Sequence, residues 1–420
     1  MFAALLLAEK GFAPIIIERG SRVEKRIEQI NDYWNGGKLN LNSNVQFGEG
    51  GAGTFSDGKL NTGIKDKQNR ISFVLETFVK FGADESIVYD SKPHVGTDVL
   101  AKVVKNIRNY IIDLGGKFLF DTALTDIELK DNKLSKIFLS DGNYIETDIC
   151  ILAIGHSARD TFEMLLEHNV SMEQKPFAIG VRVEHNQSDI NTNQYGISNL
   201  SLPAANYKLT YKAKDGRGVY SFCMCPGGFV VNASSEEGRL AINGMSYQKR
   251  DGKNANSAIV VTVLPEDFPD DNVLSGMSLQ RQLEERAFNE CNGLIPVQKF
   301  VDFRNNTVSN KFGKVSPSIK GKYNFGNINN ILPKYICDDI TEALEHWNNK
   351  IKHFGDDDVI LSAIESRTSS PVRIIRNETF QSNIEGLYPA GEGAGYAGGI
   401  TSAAIDSMKI FEQIASVYRA

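Results

Sequence analysis

MFAALLLAEKGFAPIIIERG, residues 1–20, is the stretch on which the reading of the chain turns. Met1 to Lys10 is built of strong helix formers, and Gly11 stands where a residue free to take positive φ ends a helix. Ile15, Ile16 and Ile17 then give a strand apolar on both faces, the kind enclosed within a parallel sheet, and Glu18 closes it. A helix running into such a strand is the second half of a βαβ unit. The stretch therefore predicts an α/β sheet with an acid at the carboxyl end of its second strand. It also expects a first strand and connecting turn ahead of Met1 that the sequence does not contain.

Outward from there the α/β texture continues. RISFVLETFVKFG, from Arg70, and TDVLAKVVKNIRNYIIDLGG, from Thr97, read as helices, the second with Thr97 or Asp98 as N-cap and Gly115 as its stop. Residues 116–155 read as strands parted by turns at Asp131-Asn132 and Asp141-Gly142, a meander whose last strand, DICILAIG, ends at Gly155. From 173 to 357 the texture changes to strands such as FAIGVRVEH and GRLAIN, asparagine-rich loops and one amphipathic helix, SLQRQLEERAFNECNG, with Leu279, Leu283, Ala287 and Phe288 on one face. VILSAIES, EGLYPAG and a terminal helix return to the first style. The expected fold class is α/β, with one domain assembled from residues 1–172 and 358–420 and an α+β substrate domain inserted over 173–357.

Composition narrows the function classes. At 420 residues with 41% apolar content the chain can fill two cores, and a net charge of −6 without a basic stripe weighs against nucleic acid or an acidic membrane surface as main partner. No run approaches the roughly 18 apolar residues of a membrane span, and MFAALLLA lacks the charged leader and cleavage site of a signal peptide. Cys150, Cys223, Cys225, Cys291 and Cys337 have neither zinc spacing nor a disulfide framework, so no metal is expected and a reducing cytoplasm fits. Cys223 and Cys225, in SFCMCPGG, point to one face of an extended strand, either as a redox pair or, more plainly, as small apolar residues lining that face.

Two loops carry G-x-G-x-x-G spacing. Gly48, Gly50 and Gly53 are followed by TFSDGKL, turn formers rather than a helix, which makes a backbone-rich loop suited to a flat or anionic ligand. Gly393, Gly395 and Gly398 lie between EGLYPAG and the terminal helix. Neither loop sits one helix ahead of Glu18, where a dinucleotide fingerprint belongs.

Taken in order, IIIERG, GEGGAGTFSDGKL, ILAIGHSAR and LYPAGEGAGYAGGITSAAIDS resemble the FAD-binding blocks of two-dinucleotide-fold flavoproteins. FGEGGAGTFSDGKL together with SFCMCPGGFVVNASSEEG and ESRTSSPVR resembles a bacterial family of FAD-dependent dehydrogenases over essentially the whole chain. The resemblance implies a Rossmann-like FAD/NAD(P)-binding domain, cut short at its first strand, with FAD as cofactor and a redox reaction on a small molecule; NAD(P)H as electron donor is left open. It implies Glu18 at the adenosine ribose, Arg19 and Arg26 near adenosine or pyrophosphate, Gly51, Ala52, Gly53 and Thr54 against pyrophosphate and flavin, and Ala123 touching adenine through its backbone. Ala153 and Gly155 form the matching strand end. Gly391 and Glu392, where the family usually has Asp, would meet the ribityl chain or pyrophosphate, and Gly398, Gly399 and Ile400 would offer amides to the flavin pyrimidine carbonyl. The missing glycine loop implies weakened FAD binding by the chain as written.

Flavin supplies the electron chemistry, so the chain need only orient a substrate and manage a proton. Lys59 after the glycine loop, His94 as a proton donor near neutral pH, and Arg367 and Arg373 as a carboxylate or flavin clamp are the candidates. An RNA-modifying flavoprotein and a truncated remnant without FAD are the alternatives to a small-molecule oxidoreductase.

Overall fold

A computed structural model describes residues 1–196 and 202–420. The opening stretch folds as α1 (Phe2–Glu9), closed at Gly11 in the left-handed region (φ +90°), and β1 (Ile15–Ile17). α2 (Val23–Trp34), α3 (Arg70–Lys80) and α4 (Thr97–Asp113) follow, and β1 then pairs in parallel with β2 (Lys117–Leu119). The meander is antiparallel β3 (Leu124–Lys130), β4 (Lys133–Leu139) and β5 (Tyr144–Glu146). β6 (Cys150–Leu152), expected as its last strand, leaves it to pair in parallel with a strand from the far end of the chain, Leu387–Pro389. In this part of the fold the expected parallel sheet is thus two separate parallel pairs. β1, though all isoleucine, is only half-buried, with Ile15 45% exposed.

α5 (Arg159–Glu167) and β7 (Met172–Gln174) lead into a second module. Its strands are β8 (Phe177–Asn186), β9 (Thr210–Lys212), β10 (Gly218–Cys225), β11 (Phe229–Asn232), β12 (Ile242–Met245), β13 (Asn254–Val263), β14 (Ile295–Lys299), β15 (Ile319–Lys320), β16 (Tyr323–Phe325) and β17 (Ile360–Glu365). Seven form one sheet in the order β16-β14-β17-β8-β13-β10-β9, beside a three-stranded sheet β12-β11-β15. Helices α6 (Gln187–Tyr195), α7 (Ser275–Glu290), α8 (Phe300–Arg304) and α9 (Lys334–Asn348) complete it. β18 (Val372–Ile374), β19 (Leu387–Pro389) and α10 (Ile400–Val417) return to the first module, where α10 packs on α1 and α3.

Two expectations are corrected here. VILSAIES belongs to the second module: β17 lies between β14 and β8, antiparallel to both, so the sheet of that module takes in Ile360–Glu365, beyond the expected bound of 357. Its unbroken apolar run imitates a parallel-sheet strand because both of its faces are covered. The module also holds α9, whose Ile336, Ile340, Ala343, Leu344 and Trp347 form the buried face. Among the described residues no helix is long and apolar enough to cross a membrane.

Candidate functional site

The glycine loop after α2 is built from its buried charges. Arg26 is fully buried, and its guanidinium donates to five carbonyls: Asn44 (2.9 Å), Val45 (3.0 Å), Gly48 (3.2 Å), Glu49 (2.8 Å) and Gly51 (3.0 Å). The resemblance places it near adenosine or pyrophosphate; all three guanidinium nitrogens are turned to the loop, so Arg26 shapes the loop. Glu49 accepts from the Val23 amide at the start of α2 (2.7 Å) and from Arg108 of α4 (2.7 Å), tying the loop to both helices. Glu18 Oε1 accepts the amides of Gly20 and Gly48, each at 2.9 Å. Burial raises the Glu18 carboxyl, against those two amides and the charges of Arg26 and Arg19.

Gly51 (φ +67°) has no atom within 4 Å of where a side chain would start. Ala52 to Phe55 form a single 3-10 turn, and Thr54 is fully buried with its hydroxyl unpartnered. Arg19 is held by Asp160 (2.7 Å) at the start of α5 and stacks over Phe47, so it braces the rim. Ala123 uses both its N–H and its C=O on Ser140, each at 2.9 Å, which leaves one carbonyl lone pair for the adenine contact that the resemblance implies.

The ends of β6 and β19 make the opposite wall. Their parallel register carries on past the strands, so Gly393 packs backbone to backbone on Gly155, where an added Cβ would meet Gly155 C at 2.6 Å. The residues that follow pair as well. His156 Nδ1 lies 2.6 Å from Glu392 Oε1, and the His156 amide donates to Glu392 Oε2 at 3.2 Å. His156 Nε2 is buried and unpartnered. This dyad was missed in the sequence, where the two residues are 236 apart; each directly follows a strand-end glycine, and that was the available signal. Ala153 is exposed at the same strand end, and Gly391 donates to Asp406 of α10 at 2.8 Å. Gly398 and Gly399 are exposed ahead of α10, their amides 3.2 and 3.0 Å from the Ser402 hydroxyl, and Ile400 faces Gly53.

The four segments close on one another. Glu18 holds Gly48, Ser157 donates to Gln46 (3.2 Å), His156 meets Glu392, and Thr401 donates to Leu60 O (2.7 Å). Within this ring, Gly51, Gly155 and Gly398 have no atom within 4 Å of the point where a Cβ would stand, and Thr54 Oγ1 and His156 Nε2 have no protein partner. Bare glycine backbone in open space, gathered from distant segments, suits close approach of a cofactor carrying phosphates and a flat ring.

Of the candidate catalytic residues, Lys59 and His94 come together through an antiparallel bridge. Lys59 pairs with Asp57 (2.7 Å) and donates to Met224 O. Although burial opposes it, Asp57 and the neighbouring cysteines hold the Lys59 pKa above its ordinary value. Burial, then the charge of Arg250, lowers His94 to about 4, and Nδ1 is unpartnered. His94 is therefore neutral at pH 7, which corrects its expected role as proton donor. Arg367 and Arg373 are far apart in role. Arg367 is buried on Glu284 (2.8 and 2.9 Å), Ser157 (3.1 Å) and Ser235 (2.5 Å), whereas Arg373 lies half-exposed against Glu173 (3.1 Å). No two-arginine clamp forms.

The class so defined is a mixed α/β protein with glycine-rich loops at the carboxyl ends of parallel strand pairs, where open α/β sheets take ligands. Residues 176–368 match the family model "FAD-dependent protein, C-terminal domain-like", so the chain is related to FAD-dependent proteins. It belongs to one family with a Clostridium beijerinckii protein described as "Uncharacterized protein", being 54% identical to it over 420 residues, 99% of this chain and 78% of that one. Similar solved structures include a Bacillus halodurans glycerol-3-phosphate dehydrogenase complexed with FAD (11% identity, 99% of this chain and 62% of that one, TM-score 0.41). Another is an L-amino acid deaminase from Proteus vulgaris (10% identity, 100% of this chain and 91% of that one, TM-score 0.40). Likeness of that degree fixes neither activity nor substrate.

Proposed function

We propose that the chain is an FAD-dependent oxidoreductase acting on a small molecule. The observation that supports this is bare backbone at Gly51, Gly155 and Gly398, open at the Cβ position and brought together from three distant segments. In this reading Glu18 keeps Oε2 for ribose hydroxyls, since only Oε1 is engaged by the amides. Gly51, Ala52, Gly53 and Thr54 take the pyrophosphate and ring edge. Gly398, Gly399 and Ile400 bring bare backbone and the positive end of α10 to the pyrimidine side of the ring, where the ring carbonyl would take the place of the Ser402 hydroxyl on the Gly398 and Gly399 amides. Glu392 orients His156, whose free Nε2 meets the cofactor's polyol chain or its phosphates. Bound flavin supplies the two-electron transfer. On the substrate side Lys59 offers a fixed positive charge for an anionic group, and neutral His94 accepts a proton instead of donating one. The RNA-modifying and remnant alternatives draw no support from any of these contacts.

The test is FAD titration of the purified chain, followed by visible absorbance and protein fluorescence, beside Gly398→Val. A side chain at Gly398 meets no protein atom, so the variant should match the parent in thermal stability while binding FAD at least tenfold more weakly. Equal FAD affinity in the two proteins, or none in the parent, would sink the reading. Anaerobic addition of NADH or NADPH to the FAD-loaded chain then decides whether a nicotinamide donor reduces it.

A further inference from the structure

The C-x-C of β10 lies against the glycine loop and is not a plain pair of strand residues. In a regular strand its two Cα atoms would stand about 6.5 Å apart, near the upper limit for a disulfide. The strand is broken at that point. Pairing with β13 shifts register between Phe222 and Cys225, and Cys223 takes φ +43°, the left-handed region that a β-strand residue other than glycine rarely enters. Cys223 is half-buried at this bulge, beside the 41% exposed Phe222. Cys225 stays buried, its Sγ 3.2 Å from Cys223 O and 3.8 Å from Arg182 Nη1.

The charges around the pair favour a thiolate. Lys59 comes from the glycine loop and donates to Met224 O between the two cysteines, and Arg182 of β8 donates to Cys223 O, against Asp57 of the glycine loop and Glu365 of β17. Arg250 pairs with Asp57 and draws off its charge, and His94 is neutral. A hydrogen bond from Cys225 and the charges of Lys59 and Arg182 hold the Cys223 thiol below its ordinary range, although burial opposes them, and Cys225 is raised by burial. One acidic, reachable thiol beside one protonated, buried thiol is the division of labour of an attacking and a resolving cysteine.

We propose that Cys223 and Cys225 form a redox-active dithiol that exchanges with a disulfide-bearing substrate in the cleft between β10 and the glycine loop. The Cys223 thiolate attacks one sulfur of the external disulfide RSSR, whose S–S bond breaks to release RS⁻ and leave Cys223–S–S–R. Cys225 gives its proton to the departing thiolate and attacks Cys223 Sγ, expelling the second RS⁻. The dithiol loses two electrons and RSSR gains them, with RSH and RS⁻ as products. Lys59 is a positioning residue, holding the Cys223 thiolate through its charge.

The probe is glutathione disulfide, added to the reduced full chain without flavin, with peptide mass mapping of all five cysteines. The parent should lose two hydrogens on the peptide holding Cys223 and Cys225, reversibly with dithiothreitol. Cys225→Ser should instead retain one glutathionyl group on Cys223, and Cys223→Ser should take up none there. At pH 6.5 an ordinary thiol is about 1% thiolate. After the lower nucleophilicity of an acidic thiolate is allowed for, iodoacetamide should still label Cys223 about fivefold faster than Cys291 or Cys337. Lys59→Gln should cut that rate at least threefold at pH 6.5 and leave it unchanged at pH 9.5. The proposal is overturned if Cys223 labels no faster than Cys291 or Cys337, or if Cys225→Ser traps no glutathione. Because no flavin enters the assay, a negative result here leaves the FAD titration standing, and the reverse also holds.

Discussion

Glu184 is the residue whose burial sets a measurable pH dependence. It lies fully buried on β8, with Oε1 accepting from Asn254 (3.0 Å) and the Ser318 amide (2.7 Å) and Oε2 unpartnered. Burial raises its pKa to about 7, against about 4.3 for an unfolded glutamate. The folded chain thus keeps a proton that the unfolded chain releases, so stability falls as pH rises from about 4.3 to 7. Glu184→Gln removes that slope. Denaturant melts should find it level with the parent near pH 4.5 and ahead by about 3 kcal/mol at pH 8. Arg26 gives a second residue-scale prediction, because lysine has no planar fork with which to reach five carbonyls. Arg26→Lys should cost about 2–4 kcal/mol, read as a lower urea midpoint with the slope unchanged. The resemblance implies Arg26 near adenosine or pyrophosphate; that it is buried and ties the glycine loop together is a matter of packing, which the sequence does not show.

At the scale of elements, the carboxyl ends of β6 and β19 do most to shape the candidate site. Gly155 and Gly393 let the two chain segments touch, and a methyl group at Gly393 has only backbone to push against. Gly393→Ala should therefore cost about 2–3 kcal/mol and weaken FAD as well, in contrast to Gly398→Val, where stability is unmoved. Calorimetry on the two variants separates the effects. This level was partly legible. The helix, the isoleucine strand and the LYPAG strand could be read from propensity and period, since those depend on near neighbours. The His156–Glu392 dyad and the bulge at Cys223 depend on which strands pair, a long-range fact with no local trace. β17 misled for a related reason, because an apolar strand looks the same whether its neighbours run parallel or antiparallel.

For the whole molecule, the two modules are locked by a buried ion cluster. Glu284 of α7, with no exposed surface, accepts from Arg159 of α5 (2.9 Å to each oxygen) and from Arg367 (2.9 and 2.8 Å), while Glu236 takes the other side of Arg159. Despite its burial, these two arginines hold the Glu284 carboxyl far below the usual range. Its stabilising effect is present above about pH 4.3 and is lost only in strong acid, as pH falls through the folded value. Glu284→Gln would strand two buried guanidinium groups and should cost about 3–5 kcal/mol at pH 7, a gap that narrows below pH 4. Thermal melts across pH 3 to 7 check both the size and the direction. The ESRTSSPVR motif was conspicuous in the sequence, yet its meaning at this scale, an arginine joining two modules, appears only once α7 and α5 are side by side.

The bond from Thr401 to Leu60 also joins positions 341 residues apart, and this bears on how the chain is made. At about 5–20 residues per second, a ribosome needs roughly 15–70 s between synthesising the two partners. The module of strands β8 to β17 is continuous in sequence and can form during that interval. The glycine loop and the end of β6 must wait with their inner surfaces uncovered until α10 emerges. Cofactor capture is then a late event in biosynthesis, and a nascent chain stalled before Gly398 would present the second module folded and the candidate site still open.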